Sequence, residues 1–561
     1  MSYIGRDMAV GGGRIALLWA AIGTLLATVA TFGAPAAADR RHLANSAAIY
    51  REIPVVPTSS SSAKRYLLTF RDYQDIVLYD AVIGYYARGR VSFRKDYQTF
   101  ATALAPYFGE MIAAQIFRMW EGMRQAGTLG PSEPFIIAEF GGGNGMLAES
   151  ILDYLEAQAS RNVDRRWSDF AAHTLYVSYD LSPALSAEQR SRNVRFGNRF
   201  QARHGDATDI AALMMPQSMK GVILSNEMPD NFAVHKVVLS ADGTVEVAFV
   251  VPSLSENTWN RLRKFVPLEV LDAVTRGDRE IRHSILAERR GSAIYLTRAA
   301  FVAVLYSLSS DDYVSVIRDI DVHEVYEPVQ VIPELAEYFK CYAQQYAYEL
   351  AKHGKGMVTY VSLGQGQFIR GAAQALRAGY VMTIDYGANW DGIAKNGARP
   401  HLRTYGPGTG DDDFGRLPNK LGPFLQVTKG DWRNNSRPYR EPTLNDITSD
   451  VNFSYMAAEG QRLGLKTAYF GPQSALLSGT GISLENAIPR RPSGETVDEF
   501  RMWADMFVTD REFKLLVQQK EQTDSLYVYP ITHSEPLDLN EQELNAKQQQ
   551  AAIQVRKAIA K

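Results

Sequence analysis

The stretch Ile137 to Leu152, IAEFGGGNGMLAESIL, sets an acid, Glu139, just ahead of Gly141, Gly143 and Gly145. The apolar run Phe135 to Ala138 before it reads as a buried strand, and Met146 to Leu155 after it has the spacing of a helix. A strand that turns at once into a helix needs residues without a Cβ, which reach positive φ and let a ligand approach the backbone. A triphosphate cradle would place Gly-Lys-Ser/Thr at the end of the turn, whereas Gly145 is followed by Met146 and Leu147. The dinucleotide fingerprint has its last two glycines three residues apart and these are two apart, which disfavours a nicotinamide or flavin oxidoreductase. An acid beside the loop repels a pyrophosphate and suits an ammonium group. S-adenosyl-L-methionine carries an amino-acid end beside its sulfonium and is the expected cofactor.

Two more acids extend this reading. Asp180 ends YVSYD, and an acid at the end of a second strand can accept both ribose hydroxyls. Asp206, in RHGDATDI, could accept from an adenine amino group. Each acid taken singly also suits a helix N-cap; with the glycines, Glu139, Asp180 and Asp206 would line the crevice at the carboxyl edge of an α/β sheet. SNEMPDNFAVH then follows the apolar run Gly221 to Leu224 and presents Asn226, Glu227 and Asp230, with His235 shortly after. Carboxylates can grip a guanidinium by paired hydrogen bonds, and methyl transfer to nitrogen requires an aligned, desolvated acceptor. Asn226, Glu227 and Asp230 are therefore the candidate catalytic residues, against the alternative of a capped loop with solvated acids. His235 has no placed partner and reads as structural.

Those residues need a scaffold that carries several strand ends to one edge. FIIAEF, TLYVSYD, RFQARH and GVILSN alternate with helical stretches between Phe135 and Ala233, which implies βαβ units and a mostly parallel sheet. Val237 to Val251 alternates around ADGT, the pattern of a hairpin with Asp242 and Gly243 in its turn. GYVMTIDYG resumes the sheet with a strand ending at Asp385, and REFKLLVQQK closes it. The expected organisation is a helical region over 66–130, a core over 131–256, a helix-rich insertion over 257–355, the rest of the core over 356–537 and a tail over 538–561. A Pro- and Ser-rich linker, 39–65, precedes these. Ahead of it, 1–38 has basic Arg6 and Arg14, an apolar stretch and an A-x-A end, the order of a signal peptide. An uncleaved membrane anchor and an import sequence are the competing readings.

Composition narrows the function further. In 561 residues, 60 Lys and Arg nearly balance 62 Asp and Glu, so no net charge draws the chain to nucleic acid or to an anionic membrane. The single cysteine, Cys341, excludes an intrachain disulfide, and the absence of HxxxH or HExxH spacing leaves no expected metal site.

The chain resembles the MidA-like family of class I S-adenosylmethionine-dependent methyltransferases, which includes a mitochondrial arginine methyltransferase that assists assembly of respiratory complex I. The matching stretches run in order: YYARGRVSFRKDYQTF with PYFGE, EFGGGNGMLAESIL, YDLSPALSAEQ, SNEMPDNFAVHKV, VMTIDYG, HLRTY, DITSDVNFSYMAAEGQRLGL and EFKLLVQQK. The resemblance implies a Rossmann-like methyltransferase sheet with a helical preface and a helix-rich insert. It implies donor binding by Glu139, Gly141, Gly143 and Asp180, and an acceptor side near Asn226, Glu227 and Asp230. It also implies a protein substrate carrying the methylated arginine. The chain departs from the family where Lys95, Asp96 and Tyr97 replace its Gly-Asp-Phe, and where Asp230, Asn231, Phe232 and Ala233 replace Asp-Ala-Leu-Pro. A binding or assembly protein that keeps the fold without turnover is the alternative. Export suggested by the N-terminus and a donor-containing compartment, cytoplasm or mitochondrion, suggested by the family pull localisation in opposite directions.

Overall fold

The computed structural model describes residues 67–86, 98–161, 163–240, 242–284, 292–308, 310–353, 357–395, 402–405, 437–439, 441–520 and 534–537, and isolated positions from 550 onward. All of them belong to the second of two units, Val55–Lys561. The N-terminal signal or anchor, the linker, Lys95 to Tyr97 and most of the tail lie outside the described residues. Among the described residues, no helix is long and apolar enough to cross a membrane.

Seven strands build the main sheet: β1 Phe135–Phe140, β2 Thr174–Asp180, β3 Phe200–His204, β4 Met219–Asn226, β5 Leu376–Ala388, β6 Leu465–Pro472 and β7 Phe513–Lys520. Their spatial order is β3-β2-β1-β4-β5-β7-β6, with the short strand Val451–Asn452 added against the end of β5. The first five run parallel, and β7 is antiparallel to both β5 and β6. β1 and β2 are almost wholly buried because helices cover both faces of a parallel sheet. On one face lie Phe100, Phe108, Ile116, Ile151, Phe170 and Trp503; on the other, Phe368, Ile369, Ala372, Phe453 and Met456. The strand order reverses between β1 and β4, which opens the crevice at the carboxyl edge where such sheets bind ligands.

The elements at the site form for local reasons. The helix Met146–Arg161 begins directly after the glycine turn, as expected. The helix Pro183–Arg192 starts where the Ser182 hydroxyl accepts the Leu185 N–H, with Pro183 at its first position, where no hydrogen-bonding N–H is required.

The inserted stretch carries the expected helices and, in addition, an antiparallel sheet. The hairpin His235–Leu239 and Val245–Leu254 turns at Gly243, with φ 89°, where the Thr244 N–H donates to Asp242 Oδ1 at 3.0 Å. This hairpin belongs to the inserted sheet and not to the core, joining Asp321–Pro328, Met357–Val361 and the short Leu68–Thr69 and Ile294–Tyr295. The sheet escapes a pattern-based reading because DVHEVYEP is charged and half exposed, so apolar alternation is missing from its longest added strand. Its buried face, with Val237, Val247 and Phe249, packs on Leu335, Phe339 and Tyr342 of the helix Pro333–His353.

Phe100 ties the N-terminal region to the far edge of the core. Its ring meets Phe513 at 4.8 Å and Trp503 at 5.2 Å, both edge-on. Trp503 is 2 % exposed, so Trp503→Ala should cost about 3–5 kcal/mol of unfolding free energy in urea denaturation. A loss below about 1 kcal/mol would mean that this aromatic cluster does not hold the N-terminal region in place.

Candidate donor and acceptor site

The glycine turn sits at the end of β1 with Gly141, Gly143 and Gly145 all left-handed, at φ 76°, 53° and 79°. Space is as restrictive as conformation: a Cβ on Gly141 would fall 2.4 Å from Met228 Cγ. The helix Pro183–Arg192 and the residue after it hold the turn from behind. Gln189 Nε2 donates to the Gly143 carbonyl at 2.9 Å, Arg192 Nε to that of Asn144 at 2.9 Å, and Asn193 Nδ2 to that of Gly145 at 3.0 Å. The turn is therefore fixed before any ligand arrives.

Of the acids expected on the donor side, Asp180 meets the turn. Its Oδ1 accepts the Ser182 N–H at 2.8 Å and its Oδ2 accepts Gln189 Nε2 at 3.1 Å, so one glutamine joins the carboxyl to Gly143. Burial pushes this carboxyl up to about 7 against the pull of those hydrogen bonds. Glu139 lies beneath the turn: it is 2 % exposed, accepts the Ser178 hydroxyl at 3.3 Å, and would be 2.9 Å from a Cβ on Gly142. Burial raises it to about 7 as well, and a carboxyl so enclosed presents almost no surface for the direct ammonium contact expected of it. Asp206 follows β3 and is half-exposed. Its Oδ1 accepts both the N–H and the hydroxyl of Thr208, at 2.8 and 2.7 Å, and caps the short helix Ala207–Ala212, which is the capping role weighed against the adenine contact.

The acceptor side is built from the ends of β4 and β5. Asn226 closes β4, and Glu227 follows with φ 47°, a left-handed conformation uncommon outside glycine. Its N–H donates to the Ile384 carbonyl at 2.8 Å, which pins the turn to β5, while Oε1 accepts the Phe100 N–H at 3.1 Å. Asp230 is 3 % exposed, and its N–H donates to Asp385 Oδ2 at 3.1 Å. Asn226, Glu227 and Asp230 are thus brought together, and Met228 between them packs on Gly141 of the donor turn. Burial, then the charge of Asp230, pushes Glu227 up to about 8; burial, then Asp230 and Glu227, holds Asp385 well above the carboxylate range.

Asp385 was not among the candidate residues. An acid after an apolar run, the signal that singled out Asp180, was present in VMTIDYG and could have found it, although the strand expected to end at Asp385 continues to Ala388. His235 is fully enclosed, and burial holds its imidazole down at about 3, neutral and structural.

Segments far apart in sequence complete the wall. Tyr79 donates its hydroxyl to the Asn231 carbonyl at 2.7 Å and Tyr86 to Asn231 Oδ1 at 3.1 Å, while Ser182 Oγ donates to the Tyr86 carbonyl at 3.0 Å. The N-terminal region therefore bridges the ends of β2 and β4. Leu402–Tyr405 and Asp446–Ser449 pair as an antiparallel ribbon, and Ser449 Oγ of that ribbon donates to the Asp230 carbonyl at 3.4 Å. Among the described residues, no group of His, Cys, Asp and Glu has the geometry to hold a metal ion.

A parallel sheet of this order with one antiparallel strand, a glycine turn after its first strand and an acid closing its second defines a class I S-adenosylmethionine-dependent methyltransferase. The left-handed turn, its lack of room for a Cβ and the carboxyl beside it fit that donor. A family model described as "Putative S-adenosyl-L-methionine-dependent methyltransferase" matches residues 111–471, and the chain belongs to this MidA-like methyltransferase family. Among solved structures it is similar to a superfamily member and "likely methyl transferase" from Burkholderia thailandensis bound to S-adenosyl-homocysteine. The identity is 18 %, over 89 % of this chain and 98 % of that one, with a TM-score of 0.50. A native structure of an uncharacterized protein of the same superfamily and organism matches at 17 % identity over 88 % and 97 %, with a TM-score of 0.48. No curated protein matches the chain.

Two measurements check this site. Gly143→Val places a β-branched residue at φ 53° and should weaken S-adenosylhomocysteine binding at least about tenfold in calorimetry; unchanged affinity would remove the turn from the donor site. Glu139 is raised from 4.5 to about 7, so the folded state keeps a proton that the unfolded chain loses. Its contribution to stability is full below about pH 4.5 and is lost as pH rises to about 7. Glu139→Gln should remove that decline and stabilise the ligand-free protein by about 1–3 kcal/mol at pH 8 in chemical denaturation. Asp180 and Glu227, raised to about 7 and about 8, leave part of the slope in the variant; a slope undiminished from the wild type would give Glu139 no share in it.

Proposed function

We propose that this methyltransferase modifies a cationic nitrogen, most simply an arginine side chain presented by a protein partner. The observation that carries the reading is the pair of carboxyls, half-buried Glu227 and buried Asp230, on a loop that packs directly against the glycine turn. Carboxylates in this setting can bind a guanidinium by paired, charge-assisted hydrogen bonds and discriminate against neutral acceptors.

The donor supplies a methyl group activated by its attachment to a positive sulfur. The chain's own residues do the rest. Asp180 and the backbone of the glycine turn seat the donor, and the helix behind the turn keeps that seat rigid. Glu227 and Asp230 orient the acceptor nitrogen in line with the methyl group, and the N-terminal cover around Tyr79, Tyr86 and Phe100 excludes water. As the new N–C bond forms and the C–S bond breaks, the acceptor nitrogen must lose a proton. Glu227, whose proton affinity is raised by burial, can take it at Oε1 or Oε2.

The test is transfer of radiolabelled methyl from the donor to proteins of a methylation-depleted lysate, with methylarginine identified by mass spectrometry. Glu227→Gln and Asp230→Asn should each lower transfer about 100-fold or more while leaving S-adenosylhomocysteine affinity within about twofold. Label on another residue type would redirect the acceptor class. Donor binding with no labelled protein would favour a binding or assembly role.

A further inference from the structure

Between Glu256 and Glu269 the inserted stretch reads NTWNRLRKFVPL, which holds three cations, Arg261, Arg263 and Lys264, and no acid. The chain as a whole is close to neutral, so this local excess does not show in its composition. The core of the insertion is filled here without every apolar residue of the stretch. Trp259 and Leu262 of the helix Glu256–Leu262 are buried, as are Val270 and Val274 of the helix Leu268–Ser284. Phe265, in the turn between the two helices, is 79 % exposed, and Leu268, at the start of the second, is 74 % exposed. Phe265 is the most exposed aromatic side chain among the described residues.

The backbone fixes that presentation. The N–H groups of Phe265 and Val266 both donate to the Leu262 carbonyl, at 2.9 and 3.1 Å, and the Leu271 N–H donates to that of Pro267 at 3.0 Å. Scattered single apolar side chains on a surface are ordinary, whereas a Phe and a Leu displayed together on one hydrogen-bonded turn mark a contact surface. The cations sit beside them. Arg261 Nη2 donates to Ser315 Oγ at 3.2 Å on the neighbouring helix Ser310–Asp319, where Val314 is also exposed. Arg263 and Lys264 are exposed, and among the described residues neither has a carboxylate partner.

We propose that this tip docks on an anionic lipid bilayer. Phe265 and Leu268 enter the boundary between headgroups and acyl chains, while Arg261, Arg263 and Lys264 stay with the headgroup phosphates and carboxylates. The charge argument selects the occupant: cations without acids of their own next to displayed apolar side chains match a surface that is anionic outside and apolar just beneath. A protein partner would need a pocket shaped for Phe265 with carboxylates arranged around it, whereas a lipid surface supplies both without a matching shape. Two apolar side chains and three cations give a weak, reversible attachment. The proposal is independent of the donor seat and of the acceptor's identity, and it concerns where the enzyme works and not what it methylates.

The experiment reads the tip itself in the full chain. In a Cys341→Ser background, Leu268→Cys carries an environment-sensitive fluorophore, and a second preparation carries it at Val508→Cys, an exposed position on the core helix Val497–Thr509. With vesicles of phosphatidylcholine containing about one-third phosphatidylserine, the tip label should shift to the blue and brighten about twofold or more, while the core label stays unchanged. Raising the ionic strength to about 0.5 M should weaken the vesicle affinity read at the tip at least about fivefold. Phe265→Ser, and separately Arg263→Glu combined with Lys264→Glu, should each weaken it about tenfold or more, with the thermal unfolding transition unaltered. Attachment through the N-terminal stretch alone leaves the tip label unshifted and overturns the inference. So does an equal response to phosphatidylcholine alone, or an equal response of the core label. A tip label that ignores vesicles of both compositions overturns it as well, and turns the search to an acidic protein partner.

Discussion

The desolvation of acids at the carboxyl edge of the main sheet is the constraint around which the rest of the chain is arranged. Parallel strands must be covered on both faces, and that cover removes water from whatever stands at their ends. Glu139 on β1, Asp180 on β2, Asp230 after β4 and Asp385 on β5 are all almost fully buried. A buried carboxyl is costly unless hydrogen-bonded or protonated, and each of these has a defined answer. Ser178 serves Glu139, Ser182 and Gln189 serve Asp180, the Asn231 amide serves Asp230, and the backbone of the acceptor loop serves Asp385. The resulting edge is held by hydrogen bonds from several elements at once.

Much of the remaining structure keeps that edge closed. The helix behind the glycine turn supplies Gln189, Arg192 and Asn193 to the turn's carbonyls, so a tight backbone needs no ligand to hold its shape. The N-terminal region reaches over from β4 to β2 through Tyr79, Tyr86 and Phe100, and Phe100 is anchored at the opposite side of the core by Trp503 and Phe513. Helices on that face thereby communicate with the acceptor loop through packed rings.

The inserted sheet contributes differently. It begins with the hairpin that leaves the acceptor loop at His235 and ends with Met357–Val361, immediately before the helix Leu363–Ala375 returns to the core. Gln365 on that helix donates to the Pro229 carbonyl at 3.5 Å and accepts the Asn452 N–H at 3.1 Å. The exit and the re-entry of the insertion are therefore both tied to the loop that bears Glu227 and Asp230.

Local signals in the sequence already determined the elements of the core. Apolar runs of strand length, the glycine spacing and the strand-ending acid Asp180 depend on neighbours a few residues away, and collinear stretches carried the family. Only the tertiary structure decided which acids meet. Asp206 and Asp180 look alike in sequence, yet one caps a short helix and the other meets the glycine turn, because helix Pro183–Arg192 brings Gln189 to Asp180 alone. Asp385 joins Asp230 across 155 residues, and Leu402–Tyr405 meets Asp446–Ser449 beside them. The charged strand Asp321–Pro328 carries no apolar alternation, so its place in a sheet follows from its partners and not from its own residues. Burial is likewise a property of the assembled chain, and it is burial that pushes the carboxyls of Glu139 and Asp180 up to about 7.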